Sequence, residues 1–548
     1  MSEALEIVPL GGCGGFGMNA TLLACGDTAV LIDFGVGFPH DDATPNLRAV
    51  ADPRPLMSRW PRLRAVWLTH AHDDHTAGLP YLPGSWADAP VYGLPLTIAF
   101  ARQRFEDSTR RAPAMHEVRC LQPIECGPLT ARWIHTTHSV PHSAMIAIET
   151  PVGRLVHSGD FKLDRTPVRG SATDLTTLQQ LGADGVRLLM VDSTGALRPG
   201  WTASESSTVE PLRQVVAQCQ GQIFATTFAS HLHRIQSLVV AATSAGRKTA
   251  LLGMRATLTV RIGIDLSLFE APPGWIVSPE ELRRIPPRER MYICGGCQGE
   301  TDSSLSRLSF GTDSRGTVDV GDTVILSSSI IPGNELPVAS LMNRLLRGGA
   351  RVIHADHHPG LHASGHGARD EIGHLIATLN PRAVMPIHGD RQHLVACQEL
   401  ASDHSFGVRQ VPIAEMGESL IVTREAIAFG PRYPLSPLVL EQGLHPLDQE
   451  TRAQRRRLAS AGVLVVTVLM RGSKLEVLMN STGLRDAESF GLRELIEDVV
   501  VTFVRRERHT MSRAEMESEL SKRLATLMRR GGRARPETIV TFVRQENP

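Results

Sequence analysis

The amino-acid sequence predicts an α/β protein in which a β-rich domain is interrupted by a second, parallel α/β unit and followed by a small α+β domain. Three observations predict it. Residues 5 to about 200 read as short strands between Gly and Pro turns, each run ending in a polar or acidic residue. Strand and helix then alternate from 205 to 350, the signature of a parallel sheet. After 351 the ligand-rich texture of the first segment returns, as expected if one domain had another inserted into it.

Taken in order, the first runs are "TAVLIDFG", "AVWLTHAH", "GRLVHSGDF" and "VRLLMVDST". The insertion opens with "GQIFATTFAS" and the helical "HRIQSLVVAATSAG", and closes with "DTVILSSSIIPGNE" and "LPVASLMNRLLRGG". "RVIHADHH" and "AVMPIHGD" resume the first domain. The Pro-rich "GPRYPLSPLVLEQGLHP" is a connection, "VLVVTVLMRGSKLEVLMN" a hairpin, and "SRAEMESELSKRLATLMRR" a helix. The expected boundaries are 1–204 and 351–428 for the interrupted domain, 205–350 for the insertion, 429–450 for the connection and 451–548 for the C-terminal domain.

Composition narrows the function. A chain of 548 residues has room for two or three packed cores. No run approaches the roughly 18 apolar residues of a membrane span, and "MSEALEIVPLGG" lacks the basic start and apolar core of a signal peptide. The expectation is a cytoplasmic protein without a membrane partner. Eight scattered cysteines do not form a disulfide framework and read as reduced thiols, and Cys294 and Cys297 in "CGGCQGE" lack a second pair to complete a zinc knuckle. A formal net charge of zero gives no support to indiscriminate polyanion binding and leaves local basic patches as the route to nucleic acid. Of 22 histidines, eight fall between His354 and His393, a concentration that points to chemistry.

The densest stretch is "WLTHAHDDHTAGLP". His70 and His72 lie two apart, so on an extended segment their imidazoles point the same way, with Asp74 and His75 just beyond on the turn. That makes two groups of ligands. A divalent metal with an open catalytic position takes about three protein ligands, so a pair of metals needs five or six side chains and a bridge. The stretch provides four. The remaining candidates stand at the ends of strand-like runs: His138 in "HTTHSVPHS", Asp160 in "VHSGDFKLD" and His388 in "VMPIHGD". Any one of them alone would read as an ordinary polar turn residue. As a set they predict a dinuclear site, with zinc favoured by the histidines and manganese the alternative offered by the carboxylates.

"HAHDDH" is similar to the HxHxDH signature of the metallo-β-lactamase superfamily, and the insertion resembles the β-CASP domain of its nucleic-acid-processing branch. "VPLGGCGGFGMN", "HSGDFKLDRTPV", "LMVDSTGALRPG", "ATTFASHLHRIQSL", "CQGETDSSLSRLS", "SSSIIPGNE", "HASGHG" and "PIHGD" resemble, in order, the ribonuclease J family. The resemblance runs from about 6 to 420 and continues more loosely beyond. It implies an αββα sandwich with the β-CASP unit closing over a metal cleft. It also implies that His70, His72 and His138 hold one metal, Asp74, His75 and His388 the other, and that Asp160 bridges them. Asp33 would orient ligands from behind. Asp192 and His366 match the aspartate and histidine of two β-CASP motifs, with His366 as a proton donor and Asp74, Asp192 and His366 the implied catalytic set. Departures from the usual pattern avoid the ligands: Gly15, Phe16, His142, Cys297, and "GMRATL" where GRSM is typical.

Two such metals, about 3.5–4 Å apart, make a water nucleophilic at neutral pH and stabilise charge on a phosphoryl group. A compact ester or lactam would be attacked as well, so the substrate turns on the insertion. "SHLHR" (Ser230, His231, His233 and Arg234) falls where a strand meets a helix, so its amides and side chains could face phosphate. "HASGHG" (His362, Ala363, Ser364, Gly365 and His366) offers successive N–H groups of the kind that form an anion nest, although both segments also read as tight turns. The resemblance favours single-stranded RNA with a 5′-monophosphate and 5′-to-3′ exonucleolytic and endonucleolytic hydrolysis. The alternatives are a DNA nuclease, a small-molecule hydrolase with the insertion as a lid, and a noncatalytic RNA-binding subunit, whose mark would be a lost ligand. Basic runs at "RAQRRRL", "VRRER" and "MRRGGRARP" fit a solvated helix face, RNA or a subunit contact; a homodimer or homotetramer through the C-terminal domain is the expectation.

Overall fold

Continuous apolar strands need cover on both faces, and those of this chain find it by stacking. The computed structural model describes residues 4–39, 47–108, 110–331, 333–441, 446–472, 474–484, 490–530 and 536–544. It divides by contact into two units, Met1–Gly37 with Ala49–Leu438, and Phe38–Arg48 with Val439–Pro548.

Among the described residues the first unit holds an eight-stranded sheet in the order Ile427–Arg432, Glu418–Val422, Leu5–Gly11, Ala20–Cys25, Thr28–Ile32, Ala65–Trp67, Val91–Gly93, Met115–Glu117. A six-stranded sheet runs Val384–Ile387, Leu188–Asp192, Leu155–His157, Ser143–Glu149, Leu129–Thr136, Ile124–Cys126. Leu5, Ile7, Leu23 and Trp67 from the first meet Trp133, Ile146, Met190 and Met385 from the second in one buried core. On the second sheet's other face, Val156, Leu189, Val191 and Val384 lie under the helices Leu175–Asp184, Arg369–Leu379 and Arg391–Ala401.

Leu188–Asp192, second in the order of the six-stranded sheet, pairs in parallel with Leu155–His157 on one side and Val384–Ile387 on the other. Its second neighbour arrives only after the insertion. The parallel register brings the carboxyl ends of all three strands to one rim, delivering Asp160, Asp192 and His388 together.

The insertion is an all-parallel sheet ordered Lys248–Leu252, Arg290–Cys294, Ile223–Thr226, Thr323–Leu326, Arg351–His354. Leu212, Leu238 and Val260 cover one face, and Leu305, Leu341 and Leu345 the other. Arg351–His354, expected in the returning first domain, is instead an edge strand here, with Val352 and Ile353 in register with Val324 and Ile325. Its apolar centre completes the inserted sheet. Residues 429–450 also differ from a plain connection: Ile427–Arg432 is an edge strand of the eight-stranded sheet, and Pro431 is tolerated at such an edge. Cys294 and Cys297 are buried free thiols, and burial pushes the Cys297 thiol up to about 12.

In the second unit the expected hairpin, Val463–Arg471 with Lys474–Thr482, gains a third strand, Glu537–Arg544, parallel to the first. Leu464, Val466, Val468 and Phe542 pack under the helices Phe490–Glu507 and Arg513–Arg530 through Ile496, Val500, Leu520 and Leu524. Residues 531–535 of the last basic run and 442–445 of the connection lie outside the described residues. Among those described, no helix is long and apolar enough to cross a membrane.

Candidate metal centre

The rim of the sandwich gathers seven side chains from strand ends. His70, His72, Asp74 and His75 follow Ala65–Trp67, His138 follows Leu129–Thr136, Asp160 follows Leu155–His157, and His388 follows Val384–Ile387. His70, His72, His138 and Asp160 form one group with ligand atoms mutually within 4.8 Å; Asp74, His75, Asp160 and His388 form a second within the same limit. Asp160 belongs to both.

Hydrogen bonding fixes which ring nitrogen faces inward. His70 Nδ1 donates to Thr69 Oγ1 at 3.0 Å, because the threonine's own proton goes to Asp33 Oδ2 at 2.7 Å. His138 Nδ1 donates to the Gly365 carbonyl at 2.6 Å, and His72 Nε2 has the Ser139 hydroxyl at 3.3 Å, an oxygen able to accept its proton. Three lone pairs are left pointing together, with His72 Nδ1 3.1 Å from both His70 Nε2 and His138 Nε2. Such lone pairs repel unless a cation lies among them. A tetrahedral ion with bonds of about 2.0–2.1 Å sets its ligand atoms about 3.3 Å apart. Asp160 Oδ2 completes the set, 3.4 Å from His70 Nε2 and 3.7 Å from His138 Nε2. The donor set fits a divalent metal.

The second group is built the same way. His75 Nδ1 donates to Asp33 Oδ2 at 2.7 Å, and His388 Nδ1 to Thr194 Oγ1 at 2.6 Å. Their Nε2 atoms face carboxylates: His75 lies 3.3 Å from Asp160 Oδ1, and His388 lies 3.3 Å from Asp74 Oδ2 and 3.5 Å from Asp160 Oδ2. Asp160 Oδ1 is buried and faces the His75 ring nitrogen, the surroundings expected of a ligand atom shared with that imidazole.

Electrostatics separates the two groups in the metal-free chain. Burial holds His70 and His138 well below the ordinary histidine value and lowers His72 too, so these three are neutral and ready to ligate. Burial also acts to lower His75 and His388, but Asp160 and Asp74 override it. They hold His75 well above its usual value and bring His388 to about 9. A proton there stands where positive charge is wanted.

Asp33 takes no place in either group and stands behind both. Its Oδ1 accepts from the Thr69 amide, and its Oδ2 from Thr69 Oγ1 and His75 Nδ1. Asp33 and His388 both have φ near +55°, at 57° and 54°, the left-handed region that costs a non-glycine residue roughly 1 kcal/mol or more. Backbone strain at two site residues marks a geometry selected for something other than stability.

Asp192, at the end of Leu188–Asp192, reaches His366: Nδ1 lies 2.8 Å from Asp192 Oδ2, and Nε2 3.9 Å from Asp160 Oδ2. The "HASGHG" loop is tied to the metal rim at Gly365, where a Cβ would meet His138 Cε1 at 2.8 Å. Ala363 is buried. Ser364 Oγ accepts from the His366 amide and from Arg198 Nη2. The Gly367 amide is taken by the Phe161 carbonyl, so only part of the loop's N–H groups remain for an anion.

"SHLHR" divides sharply. Ser230 and His233 are half-buried, whereas His231 is buried at the start of the helix Leu232–Ser244, its Nδ1 accepting from the Arg234 amide. Arg234, expected as a phosphate contact, is fully buried. It donates to both Glu205 oxygens, at 2.7 and 2.9 Å, and to the Ser327 and Leu361 carbonyls, because a buried guanidinium must be paired. Burial lowers His362 to about 3 and His233 to about 4, leaving both neutral. Thr226 Oγ1 and Thr227 Oγ1 are buried without hydrogen-bond partners in this part of the inserted domain, near Ser328, whose hydroxyl meets the Cys297 thiol, and His231 Nε2, which lies 3.6 Å from Glu205 Oε2.

Sequence reasoning missed several supports. Asn19 Nδ2 donates to Asp74 Oδ2 at 3.0 Å, Thr194 anchors His388, and Glu371 binds the amides of Leu163, Thr202 and Ala368. Arg198 and Thr202 both donate to the His366 carbonyl. Asn19, Thr194 and Arg198 lie inside quoted motifs, which was the available signal.

A sandwich with this ligand rim, interrupted by a parallel sheet, defines the class: a metallo-β-lactamase-superfamily hydrolase with a β-CASP insertion. Residues 13–206 match the metallo-beta-lactamase superfamily model, 220–345 the beta-CASP domain of ribonuclease J, and 352–411 the RNA specificity domain of Zn-dependent metallo-hydrolases. The chain is 36% identical to ribonuclease J of Thermus thermophilus over 478 residues, 85% of this chain and 82% of that one. It is 31% identical to ribonuclease J 1 of Streptococcus pyogenes over 461 residues, 84% and 82% of the two chains, and 28% identical to ribonuclease J2 of Bacillus subtilis over 475, 86% and 85%. A crystal structure of a protein of unknown function from Enterococcus faecalis shares the fold, with a TM-score of 0.53 at 15% identity over 76% of this chain and 100% of that one. The chain belongs to the ribonuclease J family.

Proposed function

We propose that this chain is a cytoplasmic metal-dependent ribonuclease that hydrolyses single-stranded RNA from a 5′-monophosphorylated end and also cuts internally. The observation that carries the metal chemistry is the convergence of the His70, His72 and His138 lone pairs on an atom set sharing Asp160 with Asp74, His75 and His388. We read these seven as holding two ions, zinc in preference to manganese because five of the seven ligands are imidazoles. When bound, the ions supply a nucleophilic water and neutralise charge on the phosphoryl oxygens.

The chain's own residues do the rest. Asp192 accepts the Nδ1 proton of His366 and so aims Nε2 at the rim, where a proton on Nε2 can pass to the leaving 3′ oxygen. Arg198 and Thr202 keep that loop from swinging by holding the His366 carbonyl. For the 5′ end, the supporting features are the neutral His233 and His362, Ser230, Ser364, Ser328, His231 and the orphaned Thr226 and Thr227 hydroxyls. Crevices at the carboxyl ends of parallel strands are where such sheets take ligands. The test compares 5′-monophosphorylated RNA, matched DNA and a simple ester, each with and without a chelator. Chelator-sensitive cleavage of RNA alone is expected, and equal cleavage of DNA or the ester would overturn the assignment.

We read the second unit as the contact for a homodimer or homotetramer. Leu478, Ile539 and Val543 stand exposed on the sheet face away from its helices, in register with Thr467, Val465 and Leu469. Ile539→Lys should lower the mass seen by sedimentation; an unchanged mass would move the contact elsewhere.

A further inference from the structure

The loop that carries four of the candidate ligands is held from two directions. Backbone bonds fasten it on one side: Val36 N donates to Asp73 O, Asn19 N to Asp74 O and Phe34 N to His75 O. Gly35 permits that approach, since a Cβ there would lie 1.6 Å from Asp74 O. The turn itself, Asp73–Thr76, is one helical turn and has no stability of its own in water. It depends on such anchors.

The other anchor comes from the inserted domain. Asp73 stands between the candidate ligands His72 and Asp74 but belongs to neither ligand group. Its carboxylate accepts from Arg104 on the helix Pro95–Ser108 and from Arg255 on the inserted helix Met254–Asp265. Arg255 and Ile262, seven residues apart, share one face of that helix. Ile262, Leu266 and Leu268 pack against Ala71, Leu96, Phe100 and Val140, and Ala71 lies between His70 and His72. The inserted helix and the segment after it therefore reach the ligand loop twice, by packing against the apolar cluster that includes Ala71 and by an ion pair at Asp73. In "GMRATL" the arginine sits one residue into the helix on this inward face, while Met254 is left 92% exposed.

We propose that Arg255 is a positioning residue for the metal centre, holding through Asp73 the turn that carries His72, Asp74 and His75. The inference rests on the reading of those three as ligands. With side-chain exposures of 20% for Asp73, 10% for Arg104 and 49% for Arg255, the network is less screened than a free surface pair. It links placement of the inserted domain to the geometry of the ligand loop.

The test uses Arg255→Gln, Arg255→Lys, Asp73→Asn and the double variant Asp73→Asn/Arg255→Gln. Hydrogen exchange is followed in metal-free full-length protein over residues 69–80. The amides of His75, Thr76 and Ala77 should exchange about three- to tenfold faster in Arg255→Gln, be largely restored in Arg255→Lys, and gain little in the double variant beyond Asp73→Asn. In metal-loaded protein, kcat should fall by a similar factor for RNA and for bis(p-nitrophenyl) phosphate, with the KM for RNA unchanged. Unchanged exchange sinks the proposal, as does a raised RNA KM with normal turnover of the small diester, which would make Arg255 an RNA contact. Full metal content in His72→Ala would instead sink the reading of the ligands, a different result from a different measurement.

Discussion

His366 Nδ1 and Asp192 Oδ2 lie 2.8 Å apart although 174 residues separate them in the chain. The bond spans the insertion: Asp192 ends a strand before it, and His366 sits on a loop after it. It also fixes the second imidazole nitrogen toward the metal rim.

That relationship predicts the phenotype of His366→Ala. The variant should keep its metal and bind RNA almost as well, while cleavage falls by about 10² to 10⁴, the usual worth of a positioned acid. Asp192→Asn should cost less, since the ring keeps a partner but loses a charge. Single-turnover cleavage beside elemental analysis separates the two effects, and near-normal turnover in His366→Ala would make the histidine structural.

Metal content should follow the way the two groups share Asp160. Asp160→Ala removes an atom from both and should lose more metal than His72→Ala or His388→Ala, each of which belongs to one of the two groups that contain Asp160. Activity should vanish in all three. Two ions per chain retained in every variant would rule out the ligand set.

The candidate site was readable because its chemistry sits at strand ends in short motifs, where residue type and spacing carry the signal. His70, His72, Asp74 and His75 needed only six positions. What spacing could not reveal were contacts between distant segments: Gly365 O on His138, Thr194 on His388, Glu371 on three separate amides. Arg234 shows the opposite error. An arginine at a helix start next to histidines reads as a phosphate contact, but burial turned it into a structural cation, and nothing local distinguishes the two. Arg351–His354 was misplaced for a related reason, since a histidine-rich run ending in "HADHH" looks like ligand texture while its two central apolar residues complete a sheet edge.

Arg234 should therefore act on stability. Arg234→Leu leaves Glu205, 4% exposed, without its cation, a loss of about 3–5 kcal/mol for a broken buried pair. Thermal unfolding should begin at lower temperature, and Arg234→Leu/Glu205→Leu should recover much of the difference. A normal melting curve with weakened RNA binding would return Arg234 to the substrate.

The last prediction concerns the 5′ end. If the hydroxyls of Thr226, Thr227 and Ser328 help to seat a terminal monophosphate with Ser230, His233 and His362, that seat lies at a fixed distance from the metal rim, and a seated strand presents a nearby phosphodiester there. A 5′-triphosphate brings charge and bulk that a few hydroxyl and imidazole donors cannot satisfy, so it should be a poor exonuclease substrate while internal cuts continue. Ser364→Phe is a blunt probe, because Ser364 Oγ also accepts from the His366 amide and Arg198, and filling that space should slow every reaction. Ser328→Ala is milder, since what the Ser328 hydroxyl gives up is a hydrogen bond to the buried Cys297 thiol. It should weaken stepwise degradation of 5′-monophosphorylated RNA by about 5- to 10-fold, the worth of roughly one hydrogen bond, and leave endonucleolytic cutting of a long RNA unchanged, with no more than a small drop in melting temperature. Equal rates on 5′-hydroxyl, 5′-monophosphate and 5′-triphosphate RNA by the unmutated protein would remove end recognition and leave a metal-dependent nuclease that enters its substrate anywhere.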